Sequence, residues 1–157
     1  MTRHLLLVLA FFSHHLFALE YPKNPDLELT PGSLCDRPST HRYPEKIPYC
    51  ERNVSTKLKN EIFQNYRDEL GFRLDLRNRS NYKIDHYIPL CAGGSNKQNN
   101  LWPQHITVFE ITDPLESVGC VKLSAAKITQ AELIKLIRKA KLNLAEAPSV
   151  LKYLQSI

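Results

Sequence analysis

The chain has 157 residues, 43% of them hydrophobic and 24% charged, and its 21 Lys and Arg outnumber 16 Asp and Glu for a net charge of +5. That length and balance support one domain with a real core, and they exclude both a wholly disordered chain and a membrane bundle. The basic excess permits an anionic partner without requiring one.

The amino terminus opens with Arg3 and His4, runs through unbroken apolar residues from Leu5 to Phe12, and reaches Ala18. A positive start, a short apolar stretch and a small residue read as a secretory signal peptide over residues 1–18. The run is well short of the roughly 18 apolar residues of a membrane span. Cleavage after Ala18 would remove Arg3 and bring the charge from +5 to +4. The expected location is secreted or periplasmic, with no membrane association after cleavage. In such an oxidising compartment the four cysteines, Cys35, Cys50, Cys91 and Cys120, are expected in disulfides. Three pairings are possible. Cys35–Cys50 with Cys91–Cys120 is favoured, because each bridge joins neighbours in the chain. No C-x-x-C pair occurs, which argues against a zinc knuckle.

Residues 19–52 read as an irregular arm, since six of the ten prolines fall there, at positions 22, 25, 31, 38, 44 and 48. Proline fixes the backbone and lacks a donor, which disfavours long helices and central strands. Residues 53–157 form the expected domain. Its first helix is predicted from Thr56 to Leu70: Leu58, Ile62, Tyr66 and Leu70 make one apolar stripe, Ser55 is the N-cap, and Gly71 follows the end. Tyr82 to Leu90 suits a strand ending at Pro89. A loop with Gly93-Gly94 follows, and Leu101-Trp102 restarts an apolar segment, so a long-looped hairpin is predicted. A short helix is expected from about Pro103. Asp113-Pro114-Leu115-Glu116 reads as a new helix start with a capping box, and Thr129-Gln130-Ala131-Glu132 as a second. The second box opens a helix with Leu133, Leu136, Ile137 and Ala140 on its apolar side. Lys135, Arg138, Lys139 and Lys141 on this helix are read as solubilising charges. Pro148 opens a last short helix. The fold class is therefore α+β.

The chemistry concentrates in residues 82–105, YKIDHYIPLCAGGSNKQNNLWPQH. Asp85 is a hard oxygen ligand suited to Mg²⁺ or Mn²⁺. His86 has the side chain best suited to take a proton from water near neutrality. Asn100 can both donate and accept, and so could lock the loop or orient the histidine. His105 opens the following helix and could face the same cleft. Arg79, Lys83 and Lys97 lie around the segment and could grip phosphates without reading sequence. Gly93-Gly94 is expected to serve backbone geometry, and Trp102 to sit in the core.

The ordered set Ile84-Asp85-His86, Ile88-Pro89-Leu90, Gly93-Gly94-Ser95-Asn96 and Asn100-Leu101-Trp102-Pro103-Gln104 resembles the core of the HNH nucleases of the ββα-metal (His-metal finger) superfamily. The match covers about 23 residues strictly. The resemblance implies a ββα-metal hairpin and helix, with Asp85 as a metal ligand, His86 as general base and Asn100 as the structural middle residue. It also implies a divalent metal, Mg²⁺ or Mn²⁺, and DNA or RNA as substrate, cleaved with low sequence specificity. No obligate protein partner is evident. The departure falls at the third letter: about nine residues after the middle Asn this chain has Phe109, which cannot bind metal. His105 is the expected replacement ligand, with Glu110 and Asp113 as weaker candidates. The competing expectation is a non-catalytic secreted module on a degenerate HNH fold, binding nucleic acid or protein.

Overall fold

The computed structural model describes residues 20–157. The expected signal peptide lies outside the described residues. An irregular arm leads into a small hairpin, β1 (Thr40–Arg42) against β2 (Ile47–Tyr49). Helix α1 (Thr56–Asp68) follows, then the hairpin strand β3 (Tyr82–His86) and its partner β4 (Leu101–His105). Helices α2 (Ile106–Ser124), α3 (Gln130–Leu142) and α4 (Ala147–Ser156) complete the chain. The fold is α+β, with two separate two-stranded antiparallel sheets. Among the described residues no helix is long and apolar enough to cross a membrane.

Local signals account for most of these elements. The Ser55 side chain accepts from the Leu58 N–H at the start of α1, and Thr129 accepts from the Glu132 N–H at the start of α3. Ile62, Phe63 and Tyr66 bury one face of α1 against β3 and β4, in a cluster with Ile84, Leu101, Trp102 and Val108. A second cluster joins α2, α3 and α4 through Leu115, Leu123, Leu133, Ile137, Val150 and Leu154. Gly119 lets α2 and α3 approach: a Cβ there would come within 2.4 Å of Leu133 Cδ1. The β3–β4 hairpin and its loop lie between the two clusters, with Ile88 and Ala92 of the loop in the second.

Helix α1 stops at Asp68, two residues short of the predicted Leu70, and the arm expected to be irregular over 19–52 contains the β1–β2 hairpin. Three further predicted features differ from the structure. Strand β3 stops at His86, before Pro89, because the Tyr87 N–H turns to the Asn100 carbonyl (2.7 Å) and Pro89 leads into a 3-10 turn at Leu90–Ala92. Pro103 lies inside β4, opposite Ile84, and the helix begins at Ile106. A two-stranded ribbon leaves each strand a free edge, where a missing N–H is tolerated. Asp113-Pro114-Leu115-Glu116 starts no helix; α2 runs through it. Buried Val108, Leu115 and Leu123 hold α2 on both sides of Pro114, Asp113 pairs with Lys83, and Glu116 pairs with Lys141. Tertiary partners here outweigh a local cost of about 3 kcal/mol for an interior proline.

The arm is laid along the hairpin loop. Gly32 N–H donates to the Asn99 carbonyl, Cys35 N–H to the Gly93 carbonyl, and Ser95 N–H to the Ser33 carbonyl, each at 2.8–2.9 Å. Thr30 is fully buried, with its hydroxyl 2.9 Å from Tyr66 Oη and 3.1 Å from the Leu101 carbonyl. Disulfides Cys35–Cys50 and Cys91–Cys120 are formed. The first fastens β2 to the arm, and the second fastens the loop to α2.

Candidate functional site

Strand β3 delivers Asp85 and His86 at its carboxyl end, where the loop 87–100 returns to β4. The loop is shaped from within. Asn100 is fully buried; its Nδ2 donates to the carbonyls of Ile88 (3.0 Å) and Ser95 (2.9 Å), and its Oδ1 accepts from the Ile88 N–H (2.9 Å). Gly93 has φ +82°, and a Cβ on Gly94 would fall 1.8 Å from the Ile88 carbonyl oxygen. Only glycine fits that approach.

His86 is 2% exposed. Asn96 Nδ2 donates to the Glu51 carbonyl at 2.7 Å, which turns its Oδ1 toward His86 Nε2, 3.0 Å away. That partnership assigns the ring proton to Nε2 and leaves Nδ1 as the acceptor. Arg52 Nη1 lies 3.3 Å from Nδ1, while its Nη2 donates to the Ile84 carbonyl at 2.9 Å. Burial lowers the imidazole pKa to about 4, against the opposing influence of the Asn96 bond and the Asp85 charge. His86 is therefore neutral at physiological pH.

The side-chain partners of Asp85 are a different set. Its Oδ2 accepts from Lys141 Nζ at 2.9 Å, and Lys83 Nζ stands 3.6 Å from its Oδ1. Lys141 is fully buried; its ammonium also donates to the His86 carbonyl at 2.5 Å and pairs with Glu116. Lys83 reaches Asp113 at 2.5 Å and stands 5.0 Å from the centre of the Phe109 ring. Burial alone would raise the Asp85 carboxyl, but the charges of Lys141 and Lys83 outweigh it and hold the pKa below the ordinary range. Burial and the Asp85 charge push Glu116 up, against the pull of Lys141. The two acidic charges overcome burial at Lys141 and keep it cationic.

His105 lies elsewhere. In the hairpin register it pairs with Tyr82, whereas Asp85 pairs with Trp102, three residues away along β4. At about 3.3 Å per residue this is roughly 10 Å. The His105 ring stacks on Tyr21 with centroids 4.0 Å apart, and its Nδ1 caps α2 by accepting from the Thr107 N–H. Among the described residues no three His, Cys, Asp or Glu side chains gather as a metal site. As arranged, the donors do not fit a divalent ion: both oxygens of Asp85 face ammonium groups, and His105 and Phe109 supply no second ligand beside it.

The expected phosphate contacts divide. Arg79 and Lys83 line a cleft of about 240 Å³ with Arg52, Lys59, Phe63 and Tyr82. Lys97 lies outside it and pairs with Asp36 at 2.7 Å. A second cleft of about 400 Å³ adjoins, lined by Arg37, Ser39, Asn53 and Asn96, and Arg52 borders both. Arg52, Lys59, Asn96, Glu116 and Lys141 were not singled out from the sequence as site residues. For Lys141 a signal existed: it stands four residues beyond Ile137 and eight beyond Leu133, on the apolar stripe of α3, where a solubilising lysine does not belong. Asn96 carried its signal in the Gly-Gly-Ser-Asn segment. Arg52 had none, because the Cys35–Cys50 bridge and the fold of the arm bring it in.

No protein-family model, curated protein or solved structure matches the chain.

Proposed function

We propose that the chain is an exported endonuclease that hydrolyses phosphodiester bonds of DNA or RNA with low sequence specificity, with His86 as general base. The observation that carries this reading is a neutral histidine whose acceptor nitrogen is held by an arginine that also borders a cationic cleft. Arg52, Lys59, Arg79 and Lys83 give that cleft the charge to hold a polyanion, through contacts that read no sequence. A phosphate entering it offers Arg52 a charge-assisted partner stronger than a neutral imidazole. Drawing Arg52 away bares Nδ1. Nδ1 then takes a proton from water as the water oxygen bonds to phosphorus and the bond from phosphorus to the sugar oxygen breaks; that oxygen leaves with the electron pair and takes a proton from solvent. The remaining cations stabilise the charge that gathers on the phosphate. Two disulfides suit an oxidising destination, and the Arg3-to-Ala18 leader supports export.

A second reading is a nucleic-acid-binding module without catalysis. It is favoured by one observation, the closure of Asp85 by two ammonium groups. Oxidised protein incubated with supercoiled plasmid and with single-stranded RNA, in Mg²⁺, Mn²⁺ or EDTA, separates the two. Nicking or strand scission in any of these conditions is the expected result. Retained binding with no cleavage in all three would leave only the second reading.

A further inference from the structure

The least expected group in the molecule is a lysine with no solvent exposure at the end of the motif strand. The Lys141 ammonium donates to Asp85 Oδ2 and to the His86 carbonyl, and it forms an ion pair with the Glu116 carboxylate. These acceptors come from β3 and α2, and the lysine comes from α3, so one cation ties three elements. Asp85 and Glu116 flank it, and a second ammonium, Lys83, bridges Asp85 to the half-exposed Asp113. A buried cation is retained only where opposite charge and hydrogen bonds compensate its lost hydration, and here both are supplied.

We propose that the Lys141 ammonium is the resident cation of this site, standing between Asp85 and Glu116 in place of the divalent ion that the sequence resemblance implies. A metal ion at Asp85 would have to share carboxylate oxygens already held by ammonium groups, and it would bring two positive charges beside a lysine that has no path to solvent. Without the Lys141 charge, Asp85 and Glu116 lose the cation that stands between them, and a divalent ion shared by the two carboxylates is the replacement the site can take. The inference rests on this charge geometry and not on the proposed hydrolysis, so its test uses no cleavage readout.

The test is a comparison of the oxidised wild-type protein with Lys141→Met, which keeps the aliphatic stem and removes the charge. Free Mn²⁺ is followed by electron paramagnetic resonance, and thermal unfolding is recorded in EDTA and in Mn²⁺. Wild type is expected to leave the free Mn²⁺ signal and its own melting temperature unchanged. Lys141→Met is expected to melt lower in EDTA, to take up about one equivalent of Mn²⁺, and to regain melting temperature when it does. A purely structural lysine would be lost without any gain of metal binding. Stoichiometric Mn²⁺ uptake by wild type, abolished in Asp85→Asn, would overturn the proposal, and so would a folded Lys141→Met that binds none. Lys141→Gln takes the place of the methionine variant if that chain does not fold in either buffer.

Discussion

His86 sits in the structure as a neutral, buried ring with both nitrogens in use, and that state has a thermodynamic consequence. Its pKa is about 4 in the folded protein, against 6.5 for an ordinary imidazole. As pH falls below 6.5 the unfolded chain takes up a proton that the folded chain refuses, so protonation favours unfolding. The contribution is fully present above pH 6.5 and is lost progressively as pH falls to about 4, by which point the loss is about 3 kcal/mol. Urea unfolding of wild type and His86→Gln in EDTA at pH 7, 5.5 and 4 isolates this term from the carboxylates that titrate nearby. The expected result is a steeper loss in wild type; parallel slopes would show that the ring is not held neutral. Asp85, His86 and Asn100 were all legible as a set, because the motif places a carboxylate, an imidazole and a carboxamide around one loop. What each touches was not legible. Two of the partners, Arg52 from the arm and Lys141 from α3, are distant in sequence, and a lysine among other lysines on α3 looks like surface charge until the apolar stripe is traced through it.

At the level of elements, the helices whose signals are internal were readable. The apolar stripes and side-chain caps of α1 and α3 are local, and the structure keeps them. The Asp113–Glu116 box was misread because its side chains have better partners in the fold than in their own turn. The end of β3 was misread for a related reason. Tyr87, Ile88 and Leu90 are apolar enough to continue a strand, but Asn100 captures the Ile88 backbone and the chain turns. Loop and helix are then joined covalently by Cys91–Cys120, which encloses a 29-residue separation. Restricting the unfolded chain over such a span is worth about 3–4 kcal/mol. The paired replacement Cys91→Ser with Cys120→Ser is expected to lower the unfolding free energy by that amount in urea titration, with Cys35–Cys50 intact. An unchanged midpoint would mean that the bridge adds nothing to the hold of α2 on the loop.

For the molecule as a whole, two apolar clusters flank the motif hairpin, the Pro-rich arm closes over its loop, and a cationic cleft opens at Arg52, which reaches His86. Length, cysteine count and the order of helix and strand signals were enough to foresee a small α+β domain with two bridges. The arm's part in the site was not foreseeable from a proline-rich composition, because it depends on backbone bonds to residues 93–99 and on where Cys50 delivers Arg52. The net charge of +5 gains a location: four cations in one cleft, one of them the arginine that reaches His86. The central claim is that this cleft holds a polyanion while His86 activates water. Its most direct test measures plasmid cleavage and DNA affinity together in wild type and His86→Ala, at fixed ionic strength. The expected result is cleavage reduced by about 10²–10⁴-fold, the usual contribution of a general base, with affinity unchanged because the cationic side chains remain. Equal cleavage by the two proteins would contradict it.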